Sequence, residues 1–375
     1  MKKKILFLIH DLGHGGAEKV LVNLVNNMDP EQFDISVTAL FGGGVNEQFL
    51  APHIRYRAVY SRAFPGNSHL MKLLTPRQLH RMYVKEHYDI EVSYLEGPCA
   101  RIISGCTDPA TKKVCWIHIE QRTQKRAAGS FRSFREAMDC YGRFDRIICV
   151  SDTVRKDFLG LLPVKAPTEV LYNTNESEKI MSLSGESVED GLFSDREIKL
   201  VGVGKLLKNK GFHRMLPIVQ RLRADGNPVR LYILGIGPME EELKQLSAEL
   251  GIADAVTFLG YQTNPYKYVA KCDLFVCASF AEGFSTAATE ALIVGTPVCT
   301  VEVSGMKEML GENNEWGIVT ENSEDALYQG IQRLLDDPAL LAHYKHRAEE
   351  RGRTFSTENT VKAVQSMFLD ERKDR

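Results

Sequence analysis

Two glutamates lie eight positions apart in the segment SFAEGFSTAATEALIVGTPV, residues 279–298. Glu282 precedes a glycine at the tip of a loop, and Glu290 lies one to two turns into the predicted helix that follows. Because successive helical residues turn by about 100°, the two carboxylates point to different places. A glutamate on a helix is usually solvated or satisfied by a neighbour, but apolar residues flank Glu290, so it needs a polar partner.

Three lysines crowd the segment VGVGKLLKNKGF, residues 201–212, where a predicted strand ends at Gly204 and a helix follows. Lys205, Lys208 and Lys210 stand at the carboxyl edge of that strand. Lysines there can hold a phosphate as point charges. In most proteins, however, lysines in a surface loop have no such function, so this segment alone leaves both interpretations open.

A glycine-rich turn, HDLGHGGAEKV at residues 10–20, joins the first predicted strand to the first helix. Gly13, Gly15 and Gly16 leave backbone N–H groups uncovered at a helix N-terminus, which suits an anion. The dinucleotide fingerprint requires a third glycine where Glu18 stands, and no Lys-Ser/Thr follows as in a P-loop. The turn is therefore either an anion site of another kind or purely structural.

His118 ends a predicted strand in CWIHIEQRTQKR, residues 115–126. Open α/β sheets place their ligand contacts at the carboxyl ends of strands, so His118 is a candidate ligand contact. A structural histidine is the alternative.

A basic stretch, RTQKRAAGSFRSFR at residues 122–135, carries five basic residues, no acid, and the interleaved Phe131 and Phe134. Such a stretch can hold a protein against anionic lipid at about 1 kcal/mol per basic residue near the surface. A solvated helix face is the alternative. The five residues are Arg122, Lys125, Arg126, Arg132 and Arg135.

Short, continuously apolar runs alternate with helical patterns throughout the chain, which predicts parallel strands buried on both faces in doubly wound α/β layers. The predicted strands are 5–10, 35–40, 90–94, 114–118, 146–151, 169–172, 199–203, 230–234, 256–259, 274–278, 297–301 and 317–320. The polar stretch 174–197 lacks a strong period and indicates an irregular connection between two domains. We therefore predict domains at 1–174 and 175–355, with the last helix, within 356–375, packing back on the first.

The amino-acid composition and net charge exclude some classes of function. The chain of 375 residues is 43% hydrophobic and 26% charged, as in ordinary globular proteins, and its net charge of −2 speaks against a nucleic-acid coat. The eight cysteines form no C-x-x-C pair or zinc spacing and indicate reduced core thiols. The N-terminal apolar run, Ile5 to Ile9, is too short for a signal peptide, so we expect a cytoplasmic protein.

Together, in this order and spacing, these segments resemble the retaining glycosyltransferases of the GT-B fold, of the glycosyl transferases group 1 or family 4 type. The resemblance covers nearly the whole chain and is most specific over 199–301, which includes LYILGIGP, VTFLGYQTNPYKYVAKCDLFVCAS and the Glu-x7-Glu signature EGFSTAATEALIVGTPV. It implies two Rossmann-like domains with an interdomain active-site cleft. It also implies transfer of a hexosyl group from a nucleotide-sugar, a UDP-sugar in preference.

The resemblance implies a role for each matching position. Glu282 would hold hydroxyls of the donor sugar, and Glu290 would hold the ribose hydroxyls. Lys205 and Lys210 would bind the diphosphate. The remaining implied donor contacts are Gly15, Gly16, His118, Gly204, Gly260, Tyr261, Gly283, Phe284 and Ser285.

The resemblance has two further implications, one for cofactors and one for the acceptor. The two lysines and a helix N-terminus can stabilise the departing nucleoside diphosphate, and no Asp-x-Asp stretch follows a strand, so we expect neither a metal nor another cofactor. Many members of the family elongate lipid-linked glycans at the cytoplasmic membrane face. The resemblance therefore implies a saccharide acceptor, lipid-linked, in the synthesis of a bacterial surface polysaccharide such as a capsule, on a peripheral membrane enzyme.

One departure and three alternatives stand beside this interpretation. The family more often has Arg where this chain has Lys205, and SGMKEML, residues 304–310, matches only loosely. Nucleotide-sugar epimerases share the two-domain fold but lack the Glu-x7-Glu segment in this form. A non-catalytic partner subunit would have lost its site, whereas Glu282, Glu290 and Lys210 are present. A dinucleotide dehydrogenase lacks its fingerprint glycine.

Overall fold

The computed structural model describes residues 2–62, 71–189, 191–193 and 196–370. The chain divides into two compact units. The first comprises Met1–Thr174 and Glu358–Arg375, and the second comprises Asn175–Thr357. Across the described ranges, every helix is too short or too polar to cross a membrane.

Thirteen strands are present in the described part of the chain, and they form one sheet in each unit. The strands are β1 Lys3–Ile9, β2 Phe33–Phe41, β3 Arg55–Tyr60, β4 Ile90–Ser93, β5 Lys112–Ile117, β6 Arg146–Cys149, β7 Thr168–Val170, β8 Ile198–Val203, β9 Val229–Leu234, β10 Val256–Gly260, β11 Leu274–Cys277, β12 Val298–Val301 and β13 Ile318–Thr320.

The helices connect successive strands and cover the two sheets. The described α-helices are α1 Gly16–Asn27, α2 Pro76–Tyr83, α3 Pro98–Ile103, α4 Gln124–Ala127, α5 Phe134–Tyr141, α6 Asp152–Leu161, α7 Ser177–Ser184, α8 Phe212–Ala224, α9 Glu240–Glu249, α10 Tyr266–Val269, α11 Thr286–Ile293, α12 Met306–Leu310, α13 Glu324–Asp336, α14 Pro338–Thr354 and α15 Thr357–Leu369. Three short 3-10 turns lie at Glu47–Phe49, Lys208–Lys210 and Ala253–Ala255.

The sheet of the first unit is parallel, with the strand order β3-β2-β1-β4-β5-β6-β7. Ile5 pairs with Ile35 on one side and Ile90 on the other, and all three are buried. The final helix α15 belongs to this unit, where Phe368 packs against the rings of Phe7 and Trp116.

The sheet of the second unit is also parallel, with the order β10-β9-β8-β11-β12-β13. Its apolar core lies between the sheet and the helices, around residues such as Leu216, Leu231 and Val276. In both sheets the chain order reverses direction once, between β1 and β4 and between β8 and β11. Such switch points open a crevice at the carboxyl ends of the strands, where ligands of doubly wound folds bind.

All twelve predicted strands are confirmed, because strands buried on both faces have continuous apolar sequences. The prediction missed β3, whose sequence RYRAVY alternates. This edge strand pairs only with β2 and leaves Arg55 exposed, so it needs no continuous apolar run.

The prediction of an irregular connection over 174–197 was wrong in part. Residues Ser177–Ser184 form the helix α7, which buries Ile180 to 2% exposure. A helix of two turns with one buried apolar contact leaves too short a pattern for a period to be recognised in the sequence.

Candidate active site

Three glycines end neighbouring strands of the second unit. Gly204 donates its N–H to the carbonyl of Leu234 at 2.9 Å, and Gly235 donates to the carbonyl of Gly260 at 2.7 Å. A Cβ on Gly235 would lie only 1.9 Å from the Gly204 carbonyl oxygen, so no side chain fits there. The carboxyl edge of β8, β9 and β10 therefore presents bare backbone, which lets a ligand approach closely.

The loops on the two sides of the switch point are joined by their backbones. Phe280, which follows β11, donates its N–H to the carbonyl of Asn209 at 2.8 Å. Between Asn209 and α8 the chain turns at Gly211, whose φ is +71°. A Cβ there would lie 2.0 Å from the carbonyl oxygen of Ala278, so this turn requires glycine.

This junction brings Lys210 and Glu282 into direct contact. The ammonium nitrogen of Lys210 donates to both carboxylate oxygens of Glu282, at 2.7 and 2.9 Å. The hydroxyl of Ser279 donates to Glu282 Oε1 at 2.7 Å. The Glu282 carboxylate is thus held by two donors and is only 9% exposed as a residue.

The charge state of this pair follows from its surroundings. Burial lowers the pKa of Lys210, but the adjacent Glu282 carboxylate outweighs that effect and raises the pKa above its usual value. Lys210 is therefore an ammonium ion at neutral pH. Burial and the same carboxylate raise the pKa of the neighbouring Cys277 thiol, which stays protonated. The site holds a fixed cation that retains a third N–H for a ligand.

Lys205 lies two positions after the end of β8, and its side chain is exposed. No described acidic residue forms an ion pair with it. Lys208 is also exposed, within the 3-10 turn Lys208–Lys210. The edge thus carries one lysine that is paired with a carboxylate and two that face solvent.

The helix α11 begins beside Glu282 and carries Glu290. Ser285 caps the helix, because its hydroxyl accepts the N–H of Ala288 at 3.3 Å. Glu290 is 7% exposed, and the hydroxyl of Tyr266 donates to its Oε1 at 3.4 Å. Tyr266 thus supplies a polar partner of the kind that the apolar sequence around Glu290 demanded.

The other predicted donor contacts of this unit lie on the flanks of the same edge. Phe284 is buried, and its ring packs edge-on against Phe355 with centroids 5.8 Å apart, so its side chain serves the core. Gly283 lies between Glu282 and Phe284. Gly260 ends β10 with a φ of +65°, and the ring of Tyr261 beside it is 46% exposed.

In the first unit, Gly15 and Gly16 form the start of α1. Gly15 is the N-cap, and a Cβ on it would lie 1.7 Å from the carboxylate of Glu18. Just before them, the N–H of Gly13 donates to Asp11 Oδ1 at 2.8 Å. A side chain at Gly15 would therefore displace the Glu18 carboxylate from this compact turn at the carboxyl end of β1.

His118 follows β5 in the first unit, one strand away from the switch point between β1 and β4. Its backbone N–H donates to Glu96 Oε2 at 3.0 Å, and its ring lies 4.9 Å from that of Tyr94. Burial lowers the pKa of His118 to about 4, so the imidazole is neutral at pH 7. Its buried Nε2 has no hydrogen-bond partner among the described residues and can accept or donate one bond to a ligand.

Three residues of these sites were missed by the sequence analysis. Ser279 stands three positions before Glu282 within the same motif, so its place in the motif was an available signal. Tyr266 and Glu96 contact predicted site residues that are distant in sequence, and no local pattern marks them. Burial raises the pKa of the Glu96 carboxyl, which lies at the carboxyl end of β4.

Comparison with known families matches both halves of the chain. The family described as Glycosyltransferase Family 4 matches residues 14–175, and the family described as Glycosyl transferases group 1 matches residues 185–353.

Among curated relatives, a Campylobacter jejuni protein named N-acetylgalactosamine-N,N'-diacetylbacillosaminyl-diphospho-undecaprenol 4-alpha-N-acetylgalactosaminyltransferase is 36% identical over 189 residues, 50% of this chain and 49% of that protein. The alignment with this protein and that with a Rhizobium meliloti lipopolysaccharide core glycosyltransferase each span about half of the relative's length, 49% and 48%. An uncharacterized glycosyltransferase of Haemophilus influenzae is 22% identical across 96% of this chain and 98% of its own.

Among solved structures, Anabaena Alr3699/HepE in complex with UDP and glucose aligns with a TM-score of 0.80 and 19% identity over 98% of this chain and 100% of its own. At that identity the likeness shows the fold, which is GT-B. With both family matches and this fold, the chain belongs to the GT-B glycosyltransferases of group 1 and family 4.

Proposed function

We propose that this protein is a retaining glycosyltransferase that transfers a hexosyl group from a nucleotide-sugar, favouring a UDP-sugar, to a lipid-linked saccharide in the synthesis of a bacterial surface polysaccharide. The observation that carries the proposal is the Lys210–Glu282 pair at the switch point of the second unit, with both N–H···O distances below 3 Å. The pair places a cation that can bind phosphate, Lys210, beside a carboxylate that can bind sugar hydroxyls, Glu282. The name of the Campylobacter relative supports a lipid-linked acceptor, and the UDP complexes of structural neighbours support the donor class.

The predicted site residues of the second unit bind different parts of the donor. Lys205 and Lys210 bind the diphosphate, and the N-terminus of α11 adds its partial positive charge. Glu282 accepts hydrogen bonds from sugar hydroxyls, since Lys210 and Ser279 leave some of its lone pairs available. Glu290 accepts the ribose hydroxyls. The bare backbone at Gly204 and Gly260, with the exposed ring of Tyr261, receives the base and phosphates.

The same residues support the transfer step. The bond between the anomeric carbon and the phosphate oxygen breaks, and the acceptor hydroxyl oxygen bonds to that carbon on the same face. The hydroxyl proton passes to the departing diphosphate. Lys205 and Lys210 stabilise the negative charge that develops on the leaving group, so the step is proposed to need no divalent metal. Gly15, Gly16 and His118 of the first unit are proposed as further donor contacts.

The donor class is tested by screening nucleotide-sugars for an increase in the melting temperature of the protein, because a ligand that binds the native state stabilises it. We expect UDP-sugars to stabilise the protein, and UDP to be released when a lipid-linked acceptor is added. Interconversion of UDP-sugars without acceptor would identify an epimerase. If no donor stabilises the protein and none is turned over, the protein is a non-catalytic subunit.

We also propose that the first unit docks on an anionic membrane through its basic surface, in a form that differs from the sequence expectation. Phe131 is only 2% exposed and packs against Tyr141 in the core, so it cannot enter a membrane. The apolar contribution comes instead from Leu73, which is 74% exposed. The guanidinium of Arg132 donates to the Leu73 carbonyl at 2.7 Å, so a basic residue adjoins this apolar one.

Sedimentation with liposomes tests the docking. The protein is expected to bind anionic vesicles at low salt and leave them at high salt, because screening weakens exposed charges. A variant with Gln at all five basic positions of 122–135 should lose binding to vesicles and retain binding to UDP. If the wild-type protein ignores anionic vesicles at low salt, a soluble acceptor becomes the better assignment.

A further inference from the structure

Three side chains that can ligate a metal converge in the first unit, and none of them is proposed to act on the donor. His80 comes from α2, Glu91 from β4, and Cys106 from the segment after α3. One ligand atom of each lies within 4.8 Å of the other two, and His80 Nε2 lies 2.7 Å from Glu91 Oε2. Among the described residues this is the one group of three or more His, Cys, Asp or Glu side chains with such geometry.

The burial of Glu91 favours a positive charge beside its carboxylate. Only 3% of the Glu91 side chain and 15% of the His80 side chain are exposed. A carboxylate on a buried strand is costly unless a positive charge or hydrogen bonds compensate it. A protonated His80 alone would provide that compensation. The thiol of Cys106 lies at the same point and brings a third metal-ligating atom to the pair.

The chemistry of the three ligands favours one metal. Imidazole nitrogen, carboxylate oxygen and thiolate sulfur are the three ligand types of protein zinc sites, where the metal is tetrahedral. Cys106 is partly exposed, which leaves a path for the ion and room for a water as the fourth ligand. Calcium and magnesium are disfavoured, because they prefer oxygen ligands.

We propose that His80, Glu91 and Cys106 bind a zinc ion that fastens α2 and the segment after α3 to β4. Zinc bonds of about 2.0–2.3 Å at tetrahedral angles place ligand atoms roughly 3.3–3.6 Å apart. The 2.7 Å contact between His80 and Glu91 therefore opens by about 0.6 Å when the ion binds. Binding releases the thiol proton of Cys106 and the proton shared by His80 and Glu91, since zinc ligands are deprotonated.

The site is independent of the proposed transfer reaction, and its role is to stabilise the first unit. The residue numbers 80, 91 and 106 follow no zinc signature, so sequence spacing could not reveal the cluster. The fold assembles it from three elements. Zinc is thus expected to raise the melting temperature of the protein without taking part in sugar transfer.

Cobalt substitution tests the proposal. The full-length protein, stripped of metal by a chelator and checked for retained structure by circular dichroism, is titrated with Co²⁺. We expect one ion per chain, tetrahedral visible absorption, and a thiolate-to-cobalt charge-transfer band that zinc abolishes. Cys106→Ser should remove that band. His80→Gln should weaken binding by more than about 100-fold, because loss of even an outer-shell partner costs 10–100-fold.

His87→Gln is the matched control. His87 lies in the same unit and pairs with Asp108 at 3.1 Å, but its side chain is 60% exposed. This variant should bind cobalt as the wild type does. Two results would overturn the proposal: no charge-transfer band in the wild-type protein, or a band that persists in Cys106→Ser. Zinc should raise the melting temperature of wild type and His87→Gln alike, but not that of Cys106→Ser.

Discussion

Replacing Lys210 with methionine separates its role in binding phosphate from its role in the fold. Methionine keeps the length of the side chain but removes the ammonium that donates to both oxygens of Glu282. A charge-assisted hydrogen bond to phosphate contributes about 1.5–3 kcal/mol, so UDP should bind about 10–150-fold more weakly. Lys208→Ala is the matched control, because Lys208 lies in the same turn and is exposed.

The stability effect of the same change is also set by the structure. Breaking a fully buried ion pair costs about 3–5 kcal/mol, because a charge is left uncompensated. Here 29% of the Lys210 side chain and 10% of the Glu282 side chain are exposed, and Ser279 still donates to the carboxylate. We therefore expect a smaller loss, about 2 kcal/mol in the free energy of unfolding. Adding Glu282→Gln to Lys210→Met should recover most of that loss, since no buried charge remains.

Calorimetric titration with UDP and chemical unfolding measure the two effects separately. The double variant should be nearly as stable as the wild type and still bind UDP weakly. That combination would show that the loss of UDP affinity comes from the missing ammonium and not from a disturbed fold. The reasoning fails if Lys210→Met binds UDP with unchanged affinity, or if Lys208→Ala loses as much affinity as Lys210→Met does.

Four further changes give distinct readouts. Glu282→Gln should leave the protein folded but lower turnover about 100–1,000-fold, the cost of one preorganised transition-state contact; near-normal activity would remove this assignment. Activity should survive excess EDTA, although the melting temperature falls as zinc leaves, and rescue of lost activity by magnesium or manganese would contradict a metal-free step. Gly211→Ala should lower the free energy of unfolding by well over the about 1–2 kcal/mol of left-handed backbone strain, because the new Cβ would lie 2.0 Å from the Ala278 carbonyl oxygen. Gly226→Ala is the control, because Gly226 has a φ of +93° and no atom within 4 Å, so this variant has the strain without the clash. Equal losses of stability in the two variants would refute the clash. Burial lowers the pKa of His118 from 6.5 to about 4. The stability that the neutral imidazole contributes is therefore complete above pH 6.5 and decreases by up to about 3 kcal/mol as the pH falls to about 4. In urea unfolding, the stability of His118→Gln should depend less steeply on pH, and an unchanged slope would contradict the shift.

Much of the fold was predictable because its strands are buried on both faces. Each such strand is a continuous apolar run that can be recognised within a few residues. The two misses have the same physical origin. The edge strand β3 alternates because solvent covers one side, and the short helix α7 buries little beyond Ile180, so neither produces a long local pattern.

The sequence predicted residues of the candidate site but not the contacts between them. The lysine-rich segment predicted a phosphate ligand at Lys210, and the family resemblance implied a sugar-binding role for Glu282. Their contact spans 72 positions and depends on which strands become neighbours. Tyr266, which donates to Glu290, could not be identified because nothing in its own segment distinguishes it from a core tyrosine.

The sequence by itself determined the residue types and most of the order of strands and helices, because apolar patterns and backbone preference act over a few neighbouring residues. Only the tertiary structure decided which side chains meet. The order β9-β8-β11 places the loops of Lys210 and Glu282 side by side, and the order β1-β4-β5 places Glu91 within reach of His80 and Cys106. Sheet order arises from the packing of whole layers, so local sequence does not encode which distant residues come together.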